Sequence, residues 1–294
     1  MQIREYLFEK RIAYVLIFPT MLGILLVNVY PLIYTIVVSF QRYKITSPVG
    51  TWIGLANYTQ ILASSTVLSS VAISIEYTVG SVGLAFVVGF ALALLLNRGF
   101  PMRGLIRSFF IIPWAVPAFV AALTWAWMYN DQFGIFSGML RSIGINPPVW
   151  LDQSHALLGL IVLGVWKNFP FHLIILLAGL QSISTDLYEA ASVDGAGVPE
   201  RFRHITIPLI RPMAMIAILL GAIGSFQDFT MPWILTQGGP ADATNVIPIA
   251  TYQIGFVAGD FGYAAAAAVL MFLFILVTSA LYVYAYVRGV EELE

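Results

Sequence analysis

The sequence predicts an all-α integral membrane protein with six transmembrane helices, from its composition, the length of its apolar segments and the asymmetry of its charges. Hydrophobic residues make up 60% of the chain and charged residues 10%, with a mean hydropathy of +0.88. Soluble domains average roughly 25% charged residues. This chain has too few polar side chains to cover a water-exposed surface, so most of its surface must face lipid.

Six apolar stretches are long enough to cross a bilayer, which needs about 20 mainly apolar residues. Backbone groups in hydrocarbon must bond to one another, and these stretches lack the short alternating pattern of membrane strands, so helices are predicted. The spans cover about 12–40, 71–97, 107–130, 155–182, 211–235 and 262–288. They form one membrane domain, 12–288, between a basic N-terminal segment, 1–11, and a tail, 289–294.

The first span is predicted to be a retained helix rather than a signal peptide. It carries no charge from Ile12 to Phe40, and no A-x-A cleavage site follows it. Cysteine is absent, which excludes disulfides and thiolate metal sites but leaves the compartment open. The three histidines follow no metal-ligand spacing, so we expect neither a bound metal nor catalytic residues.

The distribution of lysine and arginine predicts the orientation. Ten lie in the N-terminal segment, in the loops after spans two and four and at the C-terminal end, against three in the other loops. Positively charged loops stay on the cytoplasmic side. Both termini and the loop between spans four and five are therefore predicted to be cytoplasmic, in a multi-pass protein of the inner or plasma membrane.

Charged residues inside the spans indicate a polar interior. They are Glu76, Lys167 and Asp228. A charge facing lipid costs about 2.5–3.5 kcal/mol even on a lenient scale, so such residues normally face the bundle interior. Glu76 lies near the end of its span, where it can reach water. Lys167 and Asp228 allow two interpretations, an ion pair or the lining of a polar cavity.

The cavity interpretation brings in neighbouring residues. Asn168 and Gln227 would help Lys167 and Asp228 to hold a hydroxyl-rich solute, and Phe171 and Trp233 would offer flat apolar faces to sugar rings. Prolines in the spans have two interpretations as well, because proline removes a backbone donor and bends a helix. They either serve bundle packing or bend helices that line a passage.

The loop between spans four and five, about 184–212, is called the polar insert below. Asp186 is predicted to cap a first helix, and Gly195 and Gly197 to end it. Pro199 is predicted to start a second helix, which ends at the prolines before span five. Two apolar side chains share one face of the second helix. The insert is therefore either a docking surface or an amphipathic connector in the lipid headgroups.

The polar insert resembles the EAA loop of binding-protein-dependent ABC importer permeases. The resemblance rests on Glu189-Ala190-Ala191, Asp194-Gly195-Ala196, Phe202, Ile205, Pro208 and Pro212. The segments Gly54-Leu55-Ala56-Asn57-Tyr58 and Leu235-Thr236-Gln237-Gly238-Gly239-Pro240 resemble the first and last outer loops of the sugar-importing, maltose-type branch. The resemblance covers the chain from about residue 12 onward and implies a type I ABC importer permease fold.

The resemblance also implies roles for individual residues. The residues expected to contact a cytoplasmic ATPase are Glu189, Ala190, Ala191, Asp194, Gly195 and Phe202. The residues expected to contact a sugar are Gly164, Lys167, Asn168, Phe171, Ser225 and Asp228, and Gln227 joins them on its polarity. The solute stays open, because Lys167 would equally suit a sugar acid or a glycerophosphate-type ester.

Energy must come from a partner. A P-loop needs Gly-Lys-Ser/Thr, and none of the three lysines follows a glycine. This chain is thus expected to be non-catalytic and without a cofactor, with ATP and Mg²⁺ bound by the ATPase. The implied partners are a second permease subunit, two cytoplasmic ATPase subunits, an extracytoplasmic solute-binding protein, a sugar and membrane lipid, and no nucleic acid.

Two other functions remain open. An ion-coupled secondary transporter could use Asp228 and Glu76 as proton sites, although such carriers usually contain internal repeats, and the sequence shows no convincing one. A non-transporting membrane scaffold would show no solute-dependent stimulation of an ATPase. Uptake experiments separate these functions.

Overall fold

The computed structural model describes residues 14–99 and 101–291, and these are mainly helical. The helices are α1 (Tyr14–Ser39), α2 (Ala56–Ala63), α3 (Ser65–Leu96), α4 (Arg103–Ala115), α5 (Ala118–Met128), α6 (Ile135–Ser142), α7 (Ala156–Ser182), α8 (Thr185–Val193), α9 (Val198–Phe226), α10 (Thr230–Thr236), α11 (Ile247–Val257) and α12 (Phe261–Glu291). The strands are β1 (Gln41–Lys44) and β2 (Ser47–Trp52). The predicted N-terminal segment, 1–11, and residues 292–294 of the predicted tail lie outside the described residues.

The helices confirm the predicted multi-pass architecture. Five of the described helices are long and apolar enough to cross a membrane on their own, namely α1, α3, α7, α9 and α12. The sixth span is the pair α4 and α5, which is bent by 90° at a short break. Pro113 lies inside α4 and Pro117 immediately precedes α5. Proline therefore breaks one span, whereas α7 continues through Pro170.

Two helix boundaries differ from the predicted ends of the spans. α3 begins at Ser65, six residues before the predicted start at 71. The fifth span ends at Phe226 instead of 235, because the chain breaks at 227–229 before the separate helix α10. Asp228, predicted to lie within a span, therefore lies in a break between two helices.

The second helix of the polar insert does not end at the prolines, as the sequence predicted, but continues into the fifth span as α9. The turn Phe202–Thr206 is a π-helix, in which the Ile207 N–H bonds to the carbonyl of Phe202. Pro208 lies two residues after the end of this wider turn. Local π-turns re-satisfy backbone groups that prolines disturb in membrane helices, so α9 tolerates Pro208 and Pro212.

The chain divides into two compact units, and the first comprises Met1–Ser64 and Thr251–Leu273. Its described part contains α1 and an antiparallel hairpin in which Gln41 pairs with Trp52. The Asn57 amide donates to the carbonyls of Ser39 and Gln41, each at 2.9 Å, and so ties α2 to the start of the hairpin. Lys44 and Asp260 form an ion pair at 3.2 Å.

The second unit comprises Ser65–Ala250 and Phe274–Glu294 and is built around α3 packed along α7. Glycine allows the close approach of the two helices. A Cβ added at Gly89 would lie 2.9 Å from the backbone nitrogen of Leu173 and from the carbonyl oxygen of Phe169. Apolar clusters on either side of this contact contain the buried Leu160 and Leu176. The rigid α3–α7 pair thereby fixes the residues of the site.

Candidate functional site

The break between α4 and α5 is held by Lys167. Its ammonium donates to the carbonyl oxygens of Pro113 at 3.1 Å, Trp114 at 2.8 Å and Val116 at 2.7 Å. These carbonyls lie where the helical bonding pattern stops, and a cation is favourable at the C-terminal end of a helix. Lys167 is only 8% exposed, and all three of its N–H donors are used.

The break between α9 and α10 is held by Asp228. Its Oδ2 accepts a hydrogen bond from the Tyr77 hydroxyl at 3.1 Å, and its Oδ1 accepts one from the Met231 backbone N–H at 3.2 Å. The Met231 N–H belongs to the first turn of α10, where backbone donors lack partners within the helix. The carboxylate therefore joins α3 to the start of α10.

Gly164 positions Tyr77. A Cβ at Gly164 would lie 3.1 Å from the Tyr77 hydroxyl and 3.0 Å from Cβ of Ser81, so a larger residue there would press on the side chain that holds Asp228. Tyr77 itself is completely buried. The prediction that Gly164 contacts a sugar stays a prediction, and in this structure the residue packs against α3.

A cavity of about 250 Å³ lies between these elements. Its lining residues are Val82, Trp114, Asn168, Phe171, His172, Leu220, Gly221, Gly224, Ser225, Asp228 and Met231. Four of the seven predicted sugar-binding residues are among them, namely Asn168, Phe171, Ser225 and Asp228. The cavity thus combines an amide, a hydroxyl, a carboxylate and aromatic rings, which suits a solute with many hydroxyl groups. No group of three or more His, Asp or Glu side chains in the described chain could hold a metal ion.

The structure does not place the other predicted residues in the cavity lining. Lys167 and Asp228 do not form the ion pair that was one of the two expectations, because Lys167 bonds to the α4–α5 break instead. Gln227 is exposed in the turn that precedes α10. Trp233, expected to face a sugar ring, stacks on Phe229 with ring centroids 5.4 Å apart.

Trp114 and His172 also line the cavity, although neither was predicted as a site residue. Trp114 follows Pro113 directly, and a break predicted at this proline would have exposed Trp114 as a candidate. His172 is 0% exposed, and neither ring nitrogen has a hydrogen-bond partner among the described residues. A Cβ at Gly221 would lie 3.0 Å from its Nε2, so α9 approaches the ring closely. An imidazole here offers an unused donor and an unused acceptor at the cavity wall.

The polar insert forms the helix–turn–helix that the sequence predicts, and besides the continuation of its second helix into α9 the structure corrects the cap of its first helix. Ser184, and not Asp186, caps α8, because the Ser184 hydroxyl accepts from the Asp186 backbone N–H at 3.2 Å. Ser184 precedes the helix with extended backbone, which Asp186 inside the first turn cannot adopt. Gly195 ends the helix at a φ of +86°, a left-handed conformation that favours glycine.

Two backbone bonds complete the end of α8, from Ala196 N–H to the Ala191 carbonyl at 2.8 Å and from Gly195 N–H to the Ser192 carbonyl at 3.2 Å. This is the Schellman pattern, which closes a helix with a glycine. Most of the predicted coupling residues are exposed in the polar insert. They are Glu189, Ala190, Asp194, Gly195 and Phe202, and Ala191 is half-buried.

An apolar side chain also stands on the surface of this turn. Val193 is 88% exposed at the end of α8. Phe202 is 37% exposed and stacks on Phe90 of α3 at 6.2 Å between ring centroids. Phe202 therefore links the polar insert to α3 of the bundle.

Comparison with known proteins relates the chain to membrane transport. Residues 85–288 match the family described as binding-protein-dependent transport system inner membrane component. The chain is 35% identical over 275 residues to the trehalose/maltose transport system permease protein MalF of Thermococcus litoralis, covering 93% of each protein. It is 33% identical over 276 residues to the sulfoquinovosyl glycerol transport system permease protein SmoG of Agrobacterium fabrum, covering 93% of this chain and 90% of that protein.

A solved structure shares the fold. The chain is similar to one chain of a bacterial ABC transporter involved in the import of the acidic polysaccharide alginate, with a TM-score of 0.85. The identity is 21%, and the match covers 98% of this chain and 99% of that chain. The same helices therefore recur, in the same arrangement, in a protein that works in import.

Proposed function

The chain belongs to the family of binding-protein-dependent transport system inner membrane components, and we propose that it is one permease subunit of an ATP-driven importer of sugars. The observation that carries this proposal is a polar and aromatic cavity on a chain whose relatives are named for sugar transport. A second permease subunit would form the other half of the translocation pathway.

In the proposal, the solute binds in the cavity between α3, α7 and α9. Asn168, Ser225 and Asp228 supply hydrogen bonds to hydroxyl groups, and the rings of Phe171 and Trp114 offer flat apolar surfaces. This combination suits a sugar, which has hydroxyl groups around its rim and C–H groups on its faces. Contact between the solute and Gly164, Lys167 or Gln227 stays a prediction, since none of the three lines the cavity in this conformation.

The polar insert would dock into a cytoplasmic ATPase subunit, which binds the ATP and Mg²⁺. Glu189, Ala190, Ala191, Asp194 and Gly195 form the proposed contact, with Phe202 behind them. α9 begins in the insert and extends over 29 residues, about 43 Å, to Phe226, which follows Ser225 of the cavity lining. A displacement of the insert would therefore be transmitted along one continuous helix to the solute.

The remaining partners follow from the proposed assembly. Two ATPase subunits would close on ATP, and a solute-binding protein outside the cytoplasm would deliver the sugar, as the family description implies. The basic residues place the polar insert and both termini in the cytoplasm in this proposal. The protein itself would catalyse no reaction.

Uptake of a labelled disaccharide into proteoliposomes tests the proposal. The complex of this chain with its partner permease, ATPase and binding protein should import maltose or trehalose only with ATP on the ATPase side. Uptake driven by an ion gradient without ATP would instead support a secondary transporter. An assembled complex whose ATPase no saccharide stimulates would support the scaffold.

The docking role of the polar insert has a matched pair of variants. Glu189 and Glu200 are both exposed acids of the insert, but only Glu189 lies in the proposed ATPase contact. Glu189→Ala should lower co-purification of the ATPase and ATP-dependent uptake severalfold, while Glu200→Ala leaves both close to wild type. If the two variants co-purify the ATPase and support uptake equally well, Glu189 is not part of the docking contact.

A further inference from the structure

We propose that this chain's wall of the cavity selects uncharged saccharides and disfavours acidic ones such as uronates. The inference rests on the proposed function and names the class of sugar that the site takes. It uses the placement of two side chains, Lys167 and Asp228, which the sequence left undecided between a sugar acid and a neutral sugar.

The first step is that Lys167, which directly precedes the cavity-lining residue Asn168, does not bind the solute with its ammonium group. Each of the three N–H donors of the Lys167 ammonium is bonded to a carbonyl of the α4–α5 break, at 2.7–3.1 Å. A carboxylate of a solute could attract this ammonium only by replacing one of those carbonyls, which would then be left buried without a donor. Lys167 therefore acts on the site through Trp114, whose carbonyl it binds and whose side chain lines the cavity.

The second step is that no other fixed positive charge faces the cavity. None of the lysine and arginine side chains in residues 14–99 and 101–291 is among the lining residues. His172 does line it, but the ring is completely buried and neither nitrogen has an acceptor. An imidazolium in this place would be a buried charge without compensation, so the ring contributes hydrogen bonding and not positive charge.

The third step is that one acidic side chain does face the cavity. Asp228 lines it, and its two oxygens accept hydrogen bonds from the Tyr77 hydroxyl and the Met231 N–H. Burial of this carboxyl group disfavours its charge, and the hydrogen bonds from Tyr77 and Met231 act against that cost by stabilising a negative charge on its oxygens. Because the walls around it are mostly apolar, its repulsion of a second anion is weakly screened.

Together, these three features disfavour a negatively charged solute. A sugar hydroxyl can donate to the Asp228 carboxylate, whereas a uronate would place a second negative charge against it with no cation to offset the repulsion. Like charges brought together in a binding site strongly reduce affinity. The fold alone does not decide this preference, since the solved transporter of the same fold is involved in the import of an acidic polysaccharide.

The test measures equilibrium binding of two size-matched probes, maltose and a disaccharide of glucuronate, to the nucleotide-free permease–ATPase complex. The solute-binding protein is omitted, so that its own selectivity does not enter. Wild type should bind maltose at least about tenfold more tightly than the uronate. Asp228→Asn should reduce this ratio to about threefold or less, chiefly by improving uronate binding.

Glu76→Gln is the matched control, because it removes an equal charge from an exposed position on α3 that does not line the cavity. Its binding ratio should equal that of wild type. Asp228→Glu keeps the charge and should keep the preference, which guards against a folding defect in Asp228→Asn.

The outcomes separate this inference from the function on which it rests. Uronate binding as tight as maltose binding in wild type, or an unchanged ratio in Asp228→Asn, would overturn the charge selection while leaving a sugar importer intact. If neither saccharide binds and neither is imported with ATP, the proposed function itself fails.

Discussion

The two helix breaks of the second unit are held by opposite charges. At the α4–α5 break, the Lys167 ammonium bonds to carbonyls at the end of a helix. At the α9–α10 break, the Asp228 carboxylate bonds to a backbone N–H at the start of a helix. Each charge matches the partial charge of the helix end that it holds.

The two breaks differ in what remains available to a solute. All three N–H donors of Lys167 bond to the backbone, and Lys167 is not among the residues that line the cavity between α3, α7 and α9, whereas the Asp228 carboxylate is part of that lining. A carboxylate can accept about four hydrogen bonds, and two are described. A charge inside a membrane span can therefore be structural or available to a ligand, and only its partners distinguish the two cases.

Removing the Lys167 ammonium should cause the largest loss of stability among the variants of the two breaks. Lys167→Met would leave three carbonyls without this donor, one of them in a buried bond and two in part-buried bonds, so the free energy of unfolding should fall by about 3 kcal/mol. Unfolding of the purified chain in mixed detergent micelles measures it. Arg141→Met is the control, because Arg141 also donates to two carbonyls, of Asp131 and Gln132, but is exposed. Equal stability of the two variants would show that the break does not need Lys167.

The Asp228 side of the comparison depends on Tyr77. Tyr77→Phe removes one donor to a carboxylate and should lower the free energy of unfolding by about 2 kcal/mol. It should also raise KM for the imported sugar more than it changes kcat, because Asp228 loses its orientation. Tyr58→Phe, which removes a hydroxyl bonded to the neutral Ser39, is the control and should leave KM unchanged. An unchanged KM in Tyr77→Phe would show that the Tyr77 hydroxyl does not contribute to sugar binding.

Gly164 tests whether Tyr77 is positioned by packing. Gly164→Ala brings a methyl group to 3.1 Å from the Tyr77 hydroxyl and should cost about 1 kcal/mol. Gly83→Ala, on α3 where an added Cβ meets nothing within 4 Å, should be neutral or slightly stabilising. Both are measured by thermal unfolding. If Gly164→Ala and Gly83→Ala have the same thermal stability, the close contact with Tyr77 does not affect the free energy of unfolding.

The smallest expected effect concerns an acid outside the spans. Asp152 accepts hydrogen bonds from Ser154 and His155 before α7, and these bonds lower the pKa of Asp152 to about 2. A lowered folded-state pKa gives stability above the unfolded value of about 4, and this stability is lost as the pH falls towards 2. The difference in Tm between wild type and Asp152→Asn should shrink as the pH falls below about 4. A difference that stays constant down to about pH 2 would contradict this assignment.

The sequence predicts local features of this fold well. The spans follow from runs of apolar residues, and the end of α8 follows from Gly195, because each depends on neighbouring residues in the chain. Predictions were wrong where one local signal had to be weighed against another. Pro208 and Pro212 signal a helix end, but a π-turn just before Pro208 lets α9 continue.

The sequence by itself determined that the protein is a helical membrane protein with charged residues in its interior and a glycine-ended polar insert. Only the tertiary structure decided which groups those charges meet. Lys167 bonds to a carbonyl 54 residues away, and Tyr77 bonds to Asp228 across 151 residues. Hydropathy and helix signals act over a few residues, whereas a buried charge takes whichever partner the packing of distant helices brings to it.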